Sequence, residues 1–241
     1  IAQSRMDDNK DKIAIITSNW DILLDNALQH AIDNNGISQL AVVDYCCYIS
    51  SLHDDSKIKP GLLALGQGGY NIKLLKLHGS TNWLHCPMCQ RMYVIFHQKP
   101  MLDNTKYYCT HCMRNFKLDA EQPSIRLKGN LVVPTFLKDL NNVQIKLIWQ
   151  NAGIELSEAN KIVFIGYSLP AADFEIRQLF SHYIPAHVNI EVIVFPDETD
   201  IDGLKNRYRY FFGRRHITFI VKKVPTYIHD LCNTASTESP A

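Results

Sequence analysis

The sequence predicts an α/β protein: a Rossmann-like parallel sheet with helices on both faces, into which a small zinc-ribbon module is inserted. Three observations carry that prediction. Apolar, β-branched runs alternate along the chain with stretches of helical periodicity, the pattern of a parallel sheet covered on both sides. Cys86-x-x-Cys89 is separated by nineteen residues from Cys109-x-x-Cys112. That spacing lets two tight turns aim four thiolates at one ion, which closes a structural Zn²⁺ tetrahedron. Finally, Leu77-His78-Gly79-Ser80-Thr81-Asn82-Trp83 runs from an apolar segment straight into the cysteine set, placing an imidazole and a glycine at a strand end.

The elements follow in order. Residues 12–17 are β-branched and end in polar residues, as a buried strand does. After a turn at 18–21, Ile22, Leu23, Ala27, Ala31 and Ile32 recur at helical spacing up to the Asn34-Asn35-Gly36 stop. Residues 36–69 are irregular and read as helical in part. Residues 71–78 form a second strand that feeds the zinc module of residues 84–119, in which 91–96 and 106–108 read as short ribbon strands. A short strand at 131–134 ends in proline. Val143, Leu147, Ile148, Ala152 and Leu156 mark one face of a long helix. Then come a strand at 161–166, a helix at 171–183, a strand at 190–195, a helix at 202–212, an edge strand at 217–221, and a disordered tail at 234–241. The domain division is therefore residues 1–83 and 120–233 for the two parts of the Rossmann-like domain, with 84–119 between them.

Composition sets outer bounds. A chain of 241 residues with 46% hydrophobic content can bury a substantial core. A formal net charge of +1 gives no global electrostatic case for a nucleic acid or membrane partner. No apolar run reaches bilayer length and no signal-peptide pattern opens the chain. Cys46 and Cys47 read as buried free thiols, and the cysteine usage as a whole as cytoplasmic. The chain opens on Ile1 rather than Met, so it is expected to be processed or a piece of a longer protein.

Parallel sheets bind ligands at the carboxyl ends of their strands. That rule singles out Thr17 to Asp21, His78 to Asn82, Gly166 to Asp173, and Pro196-Asp197. In the first segment Asn19 offers both a donor and an acceptor, and Asp21 can cap a helix while keeping one oxygen for a ligand; a plain N-cap accounts for Ser18, Asn19 or Asp21 equally well. His78 can act as a base, with Gly79 permitting close approach of a ligand. Ser168 and the backbone after Gly166 suit phosphate or ribose contact. Asp173 reads as well as a simple helix-start acid, and Asp197 as a solvated loop acid.

Together these segments resemble the sirtuin family, and more closely its prokaryotic sirtuin-like NAD-hydrolase branch. Thr17-x-Asn19-x-Asp21 resembles the segment that contacts nicotinamide and the adjoining ribose. His78-Gly79-Ser80-x-Asn82-Trp83 resembles the segment bearing the catalytic histidine. The cysteine quartet is similar to the sirtuin zinc module, and Gly166-Tyr167-Ser168-Leu169 to a turn near the cofactor. The resemblance implies NAD as ligand or substrate. It implies catalytic roles for Asn19, Asp21 and His78, and cofactor contacts from Thr17, Ser18, Gly166, Ser168, Asp173 and Asp197. It also implies NAD hydrolysis, in a setting of antiphage defence with a fused or associated effector or sensor domain.

Three departures stand against the family pattern. The opening Gly-Ala-Gly-x-Ser segment is absent, Phe136-Leu137-Lys138 replaces the Phe-Gly-Glu of deacylases, and Pro196-Asp197 stands where deacylases end a strand with asparagine. An NAD-dependent protein deacylase and a catalytically incomplete zinc-containing binding module are the alternatives, and a homo-oligomer stays open. Basic and aromatic residues interleave at 205–215, but Leu204, Tyr208 and Phe211 at helical spacing make a core face the better explanation than nucleic acid.

Overall fold

Strand β4 (Tyr70–Lys76) is the central strand of its sheet and is buried along nearly its whole length, Asn71 and Lys76 included. It pairs in parallel with β1 (Ala14–Thr17) on one edge and β2 (Ala41–Asp44) on the other, giving the order β1-β4-β2. The register sets Thr17 opposite Lys76 and Asp44 opposite Lys73. The computed structural model describes residues 13–37, 41–52, 69–95, 107–116, 125–131 and 142–237. These fall into two compact units, Ile1–Ala152 and Gly153–Ala241, described separately below.

In the first unit, α1 (Leu23–Asn34) follows β1, and β3 (Ile49–Ser51) follows β2. A second sheet has the order β3-β6-β5-β7, built from β5 (Gly79–His85), β6 (Met92–Val94) and β7 (Lys128–Leu131). Strand β5 runs antiparallel to both β6 and β7, while β3 lies parallel to β6. This sheet thus draws β3 and β7 from either side of residues 84–119. Helices α2 (Thr110–Asn115) and α3 (Val143–Glu158) complete the elements that begin in this unit.

Several expectations change here. Within residues 36–69 the regular structure among the described residues is strand, not helix: Ala41 and Val43 alternate with Val42 and Asp44 as a half-buried strand requires. Cys46, at φ 55°, then breaks the strand, with its N–H donating to Asp44 Oδ1. Helix α1 does not bury the face its apolar residues suggest. Leu23 is 75% exposed and Ala27 and Ala31 face solvent, whereas Ile22, Asp25 and Ile32 are buried. A buried partner for the Asp25 carboxylate turns the helix that way. In α3, Ile145, Ile148, Ala152 and Leu156 are buried, while Val143 is exposed. The strand expected at 131–134 meets the observed β7 only at Leu131, and residues 132–134 lie outside the described residues, as do Lys12 and Phe136 to Lys138.

The second unit is a parallel sheet of order β10-β9-β8, from β8 (Lys161–Ile165), β9 (Asn189–Val194) and β10 (Ile217–Val221). Helices α4 (Phe174–Tyr183), α5 (Ile201–Phe212) and α6 (Val224–Thr237) connect or follow these strands. Phe164 sits at the centre of an aromatic core, with the rings of Phe180 and Tyr208 each 5.3 Å away and that of Phe212 at 5.8 Å. Asp200 starts α5 by accepting from the Gly203 N–H at 2.9 Å, and Gly213 ends it at φ 63°.

The buried face of α5 is Leu204, Tyr208 and Phe212, and Phe211 is only partly covered. The basic residues beside it lie against aromatic rings: Arg177 is 4.6 Å from the Phe211 centroid, and Arg209 is 5.4 Å from that of Phe219. Helix α6 was not anticipated, and it runs through Thr237 into the stretch expected as a disordered tail; residues 238–241 lie outside the described residues. Among the described residues, no helix is long and apolar enough to cross a membrane.

Candidate functional site

Two polar turns at the carboxyl ends of β1 and β4 are joined almost residue by residue. The Leu77 N–H donates to the Thr17 carbonyl at 3.0 Å, and the Thr81 N–H donates to the Trp20 carbonyl at 2.9 Å. Between them, His78 Nδ1 lies 3.1 Å from the Ser18 oxygen. Because a carbonyl can only accept, Nδ1 carries the proton in this contact, which leaves Nε2 as the basic nitrogen of the neutral ring. Thr81 Oγ1 also donates to the Trp20 carbonyl at 3.2 Å. Trp149 of α3 donates from its indole to the Leu77 carbonyl at 2.9 Å, fixing the peptide just before His78.

Of Thr17, Ser18, Asn19 and Asp21, Ser18 touches His78 directly, and the others belong to the same strand-end segment. Thr17 Oγ1 accepts from the Asn19 N–H at 3.1 Å, and Asp21 Oδ1 accepts from the Leu23 N–H at 3.0 Å, so Asp21 opens α1. Asn19 is exposed; His78 is buried, at 3% exposure. Gly79 sits at φ +74°, and a Cβ there would collide with the Asn130 carbonyl, so the turn after His78 needs glycine for conformation and for space.

Beneath these turns lies a charged group that the sequence reading passed over. Lys76, the last residue of β4, is 1% exposed, and its ammonium contacts Asp25 Oδ2 at 2.6 Å. It also donates to the Asp21 carbonyl at 2.6 Å and to Ser80 Oγ at 2.7 Å. The second Asp25 oxygen accepts from Tyr45 Oη at 2.6 Å. Burial pulls the Lys76 pKa down, and the Asp25 carboxylate opposes that pull. One signal was available in the sequence: Asp25 shares the inward register of Ile22 and Ile32, where an acid needs a buried partner.

The second unit holds Gly166, Ser168, Asp173 and Asp197. Gly166 leaves β8 at φ +65°, with the ring of Phe195, at the end of neighbouring β9, 3.6 Å from where a Cβ would stand. The carbonyls of the following turn are tied back. That of Tyr167 accepts from Tyr208 Oη at 2.6 Å, that of Ser168 from Arg207 Nε at 3.1 Å, and that of Leu169 from Arg177 at 3.3 Å. Asp173 is the N-cap residue of α4 and accepts from Tyr167 Oη at 3.0 Å. Both burial and the Asp173 charge raise the Tyr167 pKa, so its hydroxyl keeps its proton. Ser168 and Asp197 are exposed.

The four cysteines of the paired motifs meet in the first unit, with all four sulfurs within 4.8 Å of one another. Cys86 and Cys112 are 3.6 Å apart and Cys89 and Cys109 3.7 Å, far too long for disulfides. Metal–sulfur bonds of about 2.3 Å give tetrahedron edges of about 3.8 Å, so this arrangement fits a closed Cys₄ metal site. The Cys89 N–H points at Cys86 Sγ and the Cys112 N–H at Cys109 Sγ, at 3.5 and 3.4 Å. Each pair is therefore a turn in which backbone donors stabilise thiolate. The first turn closes the β5–β6 hairpin, and the second opens α2 after an antiparallel bridge between Tyr108 and Arg126.

Tyr93 Oη lies 3.2 Å from Cys109 Sγ. Burial raises the Cys109 pKa, but the Tyr93 hydroxyl and the Cys112 N–H outweigh it, and the net shift is downward, toward the ligating form. Leu84, Tyr93 and Leu127 form the apolar wall around the cluster. His85 and His111 are not members of the clustered group.

No family model matches the sequence, and no curated protein matches it. Solved sirtuin structures are similar to the fold. One, solved for the structural basis of sirtuin substrate affinity, shares 13% identity over 90% of this chain and 73% of its own, with a TM-score of 0.37. A complex of Sir2 with a p53 peptide and NAD+ shares 14% identity over 89% of this chain and 70% of its own, also with a TM-score of 0.37. At these scores the likeness is loose, and no residue role is taken from it.

Proposed function

We propose that this chain is a sirtuin-like domain that binds NAD and hydrolyses its nicotinamide–ribose bond. The observation that supports this reading best is the junction of the two strand ends, where the segment carrying Asn19 and Asp21 is hydrogen-bonded to the segment carrying His78. Cleavage passes through an oxocarbenium-like state: nicotinamide leaves with the bonding pair, and a water oxygen bonds to the ribose carbon. Asn19 orients the water or the ribose hydroxyls, and the Asp21 carboxylate stabilises the developing positive charge. His78, protonated at Nδ1, accepts the water's proton or a ribose hydroxyl's at Nε2. Thr17 and Ser18 serve as NAD contacts; for Gly166, Ser168, Asp173 and Asp197 that role rests on the sequence resemblance alone. The ion of the Cys₄ cluster is Zn²⁺ in a structural role, since four thiolates leave no open position for water. The cellular setting, cytoplasmic NAD depletion in antiphage defence, rests on the sequence resemblance alone.

The test is nicotinamide release from NAD by the full chain, with and without an acylated lysine peptide. Release without peptide is the expected result. Strict dependence on the peptide would replace hydrolase with deacylase, and NAD binding without turnover under either condition would leave a binding module.

A further inference from the structure

Lys76 is out of place for an ordinary core position. It closes a strand whose neighbouring Leu74, Leu75 and Leu77 are almost fully buried, and a buried ion pair adds little net stability over well-packed apolar residues. What Lys76 does provide is geometry. An ammonium has three protons, and this one meets three acceptors on three separate segments: Asp25 Oδ2 on α1, the Asp21 carbonyl at the end of the first turn, and Ser80 Oγ at the start of β5. Ser80 in turn donates to the Trp20 carbonyl at 3.4 Å, and Tyr45 holds the far oxygen of Asp25.

A lysine–serine nucleophilic pair is the obvious alternative, and the same contacts argue against it. With Asp25 at 2.6 Å and every proton directed at an acceptor, the ammonium does not take a proton from Ser80, and Ser80 is itself fully buried. Asn19 lies two residues before the Asp21 carbonyl, and His78 two residues before Ser80. One side chain therefore sets the spacing of both.

We propose that Lys76 is a positioning residue for the reaction at this site, fixing the turn of Asn19 and the turn of His78 against each other through the Asp21 carbonyl and the Ser80 hydroxyl. The inference rests on the NAD-hydrolysis reading for its chemistry, and its geometric half can be measured separately. Nicotinamide release and amide hydrogen exchange are compared for the full chain and for Lys76→Met, Ser80→Ala and Lys76→Met/Asp25→Asn. The double variant removes both charges, while the amide introduced by Asp25→Asn keeps an acceptor for Tyr45, so it stays folded where Lys76→Met alone leaves a buried carboxylate.

Positioning predicts that the Leu77 and Thr81 amides exchange at least about tenfold faster in the lysine variants. It predicts a fall in kcat of about a hundredfold with KM little changed, the scale of misplacing a reacting group by an ångström. The double variant regains thermal stability but not kcat, and Ser80→Ala loses kcat in the same direction by less. Recovery of wild-type kcat together with stability in the double variant would overturn the proposal. So would wild-type exchange at Leu77 and Thr81 in a folded lysine variant. If the wild-type chain releases no nicotinamide, the NAD reading fails on its own, and the exchange comparison alone decides whether Lys76 holds the turns.

Discussion

His78 Nδ1 meets the Ser18 carbonyl at 3.1 Å, so the imidazole is both the candidate base and a strut between two strand-end turns. The proton on Nδ1 sets the tautomer, and the position of Ser18 sets the ring plane.

Replacing either Asn19 or His78 by alanine is expected to cut NAD cleavage by about a hundredfold or more. Their effects on stability should separate. Asn19 is exposed, and its loss should change stability by no more than about 0.5 kcal/mol. His78 is buried against Ser18, and its loss should cost about 1–3 kcal/mol. Denaturant titration alongside nicotinamide release checks both. Wild-type turnover in two folded variants would move the site elsewhere.

Gly79→Ala tests the turn itself. The φ of +74° and the Asn130 carbonyl both oppose a Cβ, so the variant should lose about 2–4 kcal/mol and most of its NAD cleavage. Thermal melting indistinguishable from wild type would show that the turn relaxes freely.

Metal analysis should find one Zn²⁺ per chain, and Cys86→Ser/Cys109→Ser should abolish it. Chelation should melt the apolar wall of Leu84, Tyr93 and Leu127 before the second unit, because burial there depends on the ligated cysteines. Tyr93→Phe removes the hydroxyl at 3.2 Å from Cys109 and should weaken metal affinity about tenfold in a competition titration with a chromogenic chelator. Full metal occupancy in the double serine variant would refute the site.

Acid should weaken the second unit through Glu191. Burial raises its pKa, but Lys161 at 2.8 Å and the Tyr227 hydroxyl at 2.6 Å outweigh that, and the folded value lies below the ordinary carboxylate range. The contribution is therefore present above the unfolded carboxyl pKa of about 4.3, and it disappears as pH falls through the lower folded value. Glu191→Gln should flatten that part of the stability curve, measured by denaturant midpoints from pH 6 to pH 3. An unchanged slope would exclude Glu191 as its source.

Features dictated by local chemistry can be read from the residues without the fold. Two Cys-x-x-Cys turns aim sulfurs at one point wherever they fold, and the order of strands and helices from residue 161 to residue 221 follows from β-branched runs and 3.6-residue periodicity. The polar segments at 17–21 and 78–82 were legible as strand-end chemistry, but strand β5, which begins at Gly79, was not. Tertiary structure decided which faces and which partners. Short strands β2 and β3 exist because β4 and β6 pair with them, not because four or three residues have enough pattern to announce themselves. Helix α1 buries Asp25 rather than Leu23 because Lys76, fifty-one residues further along, supplies the counter-charge. A charge can be buried only where its partner arrives from elsewhere in the chain, and sequence spacing holds no record of that distance.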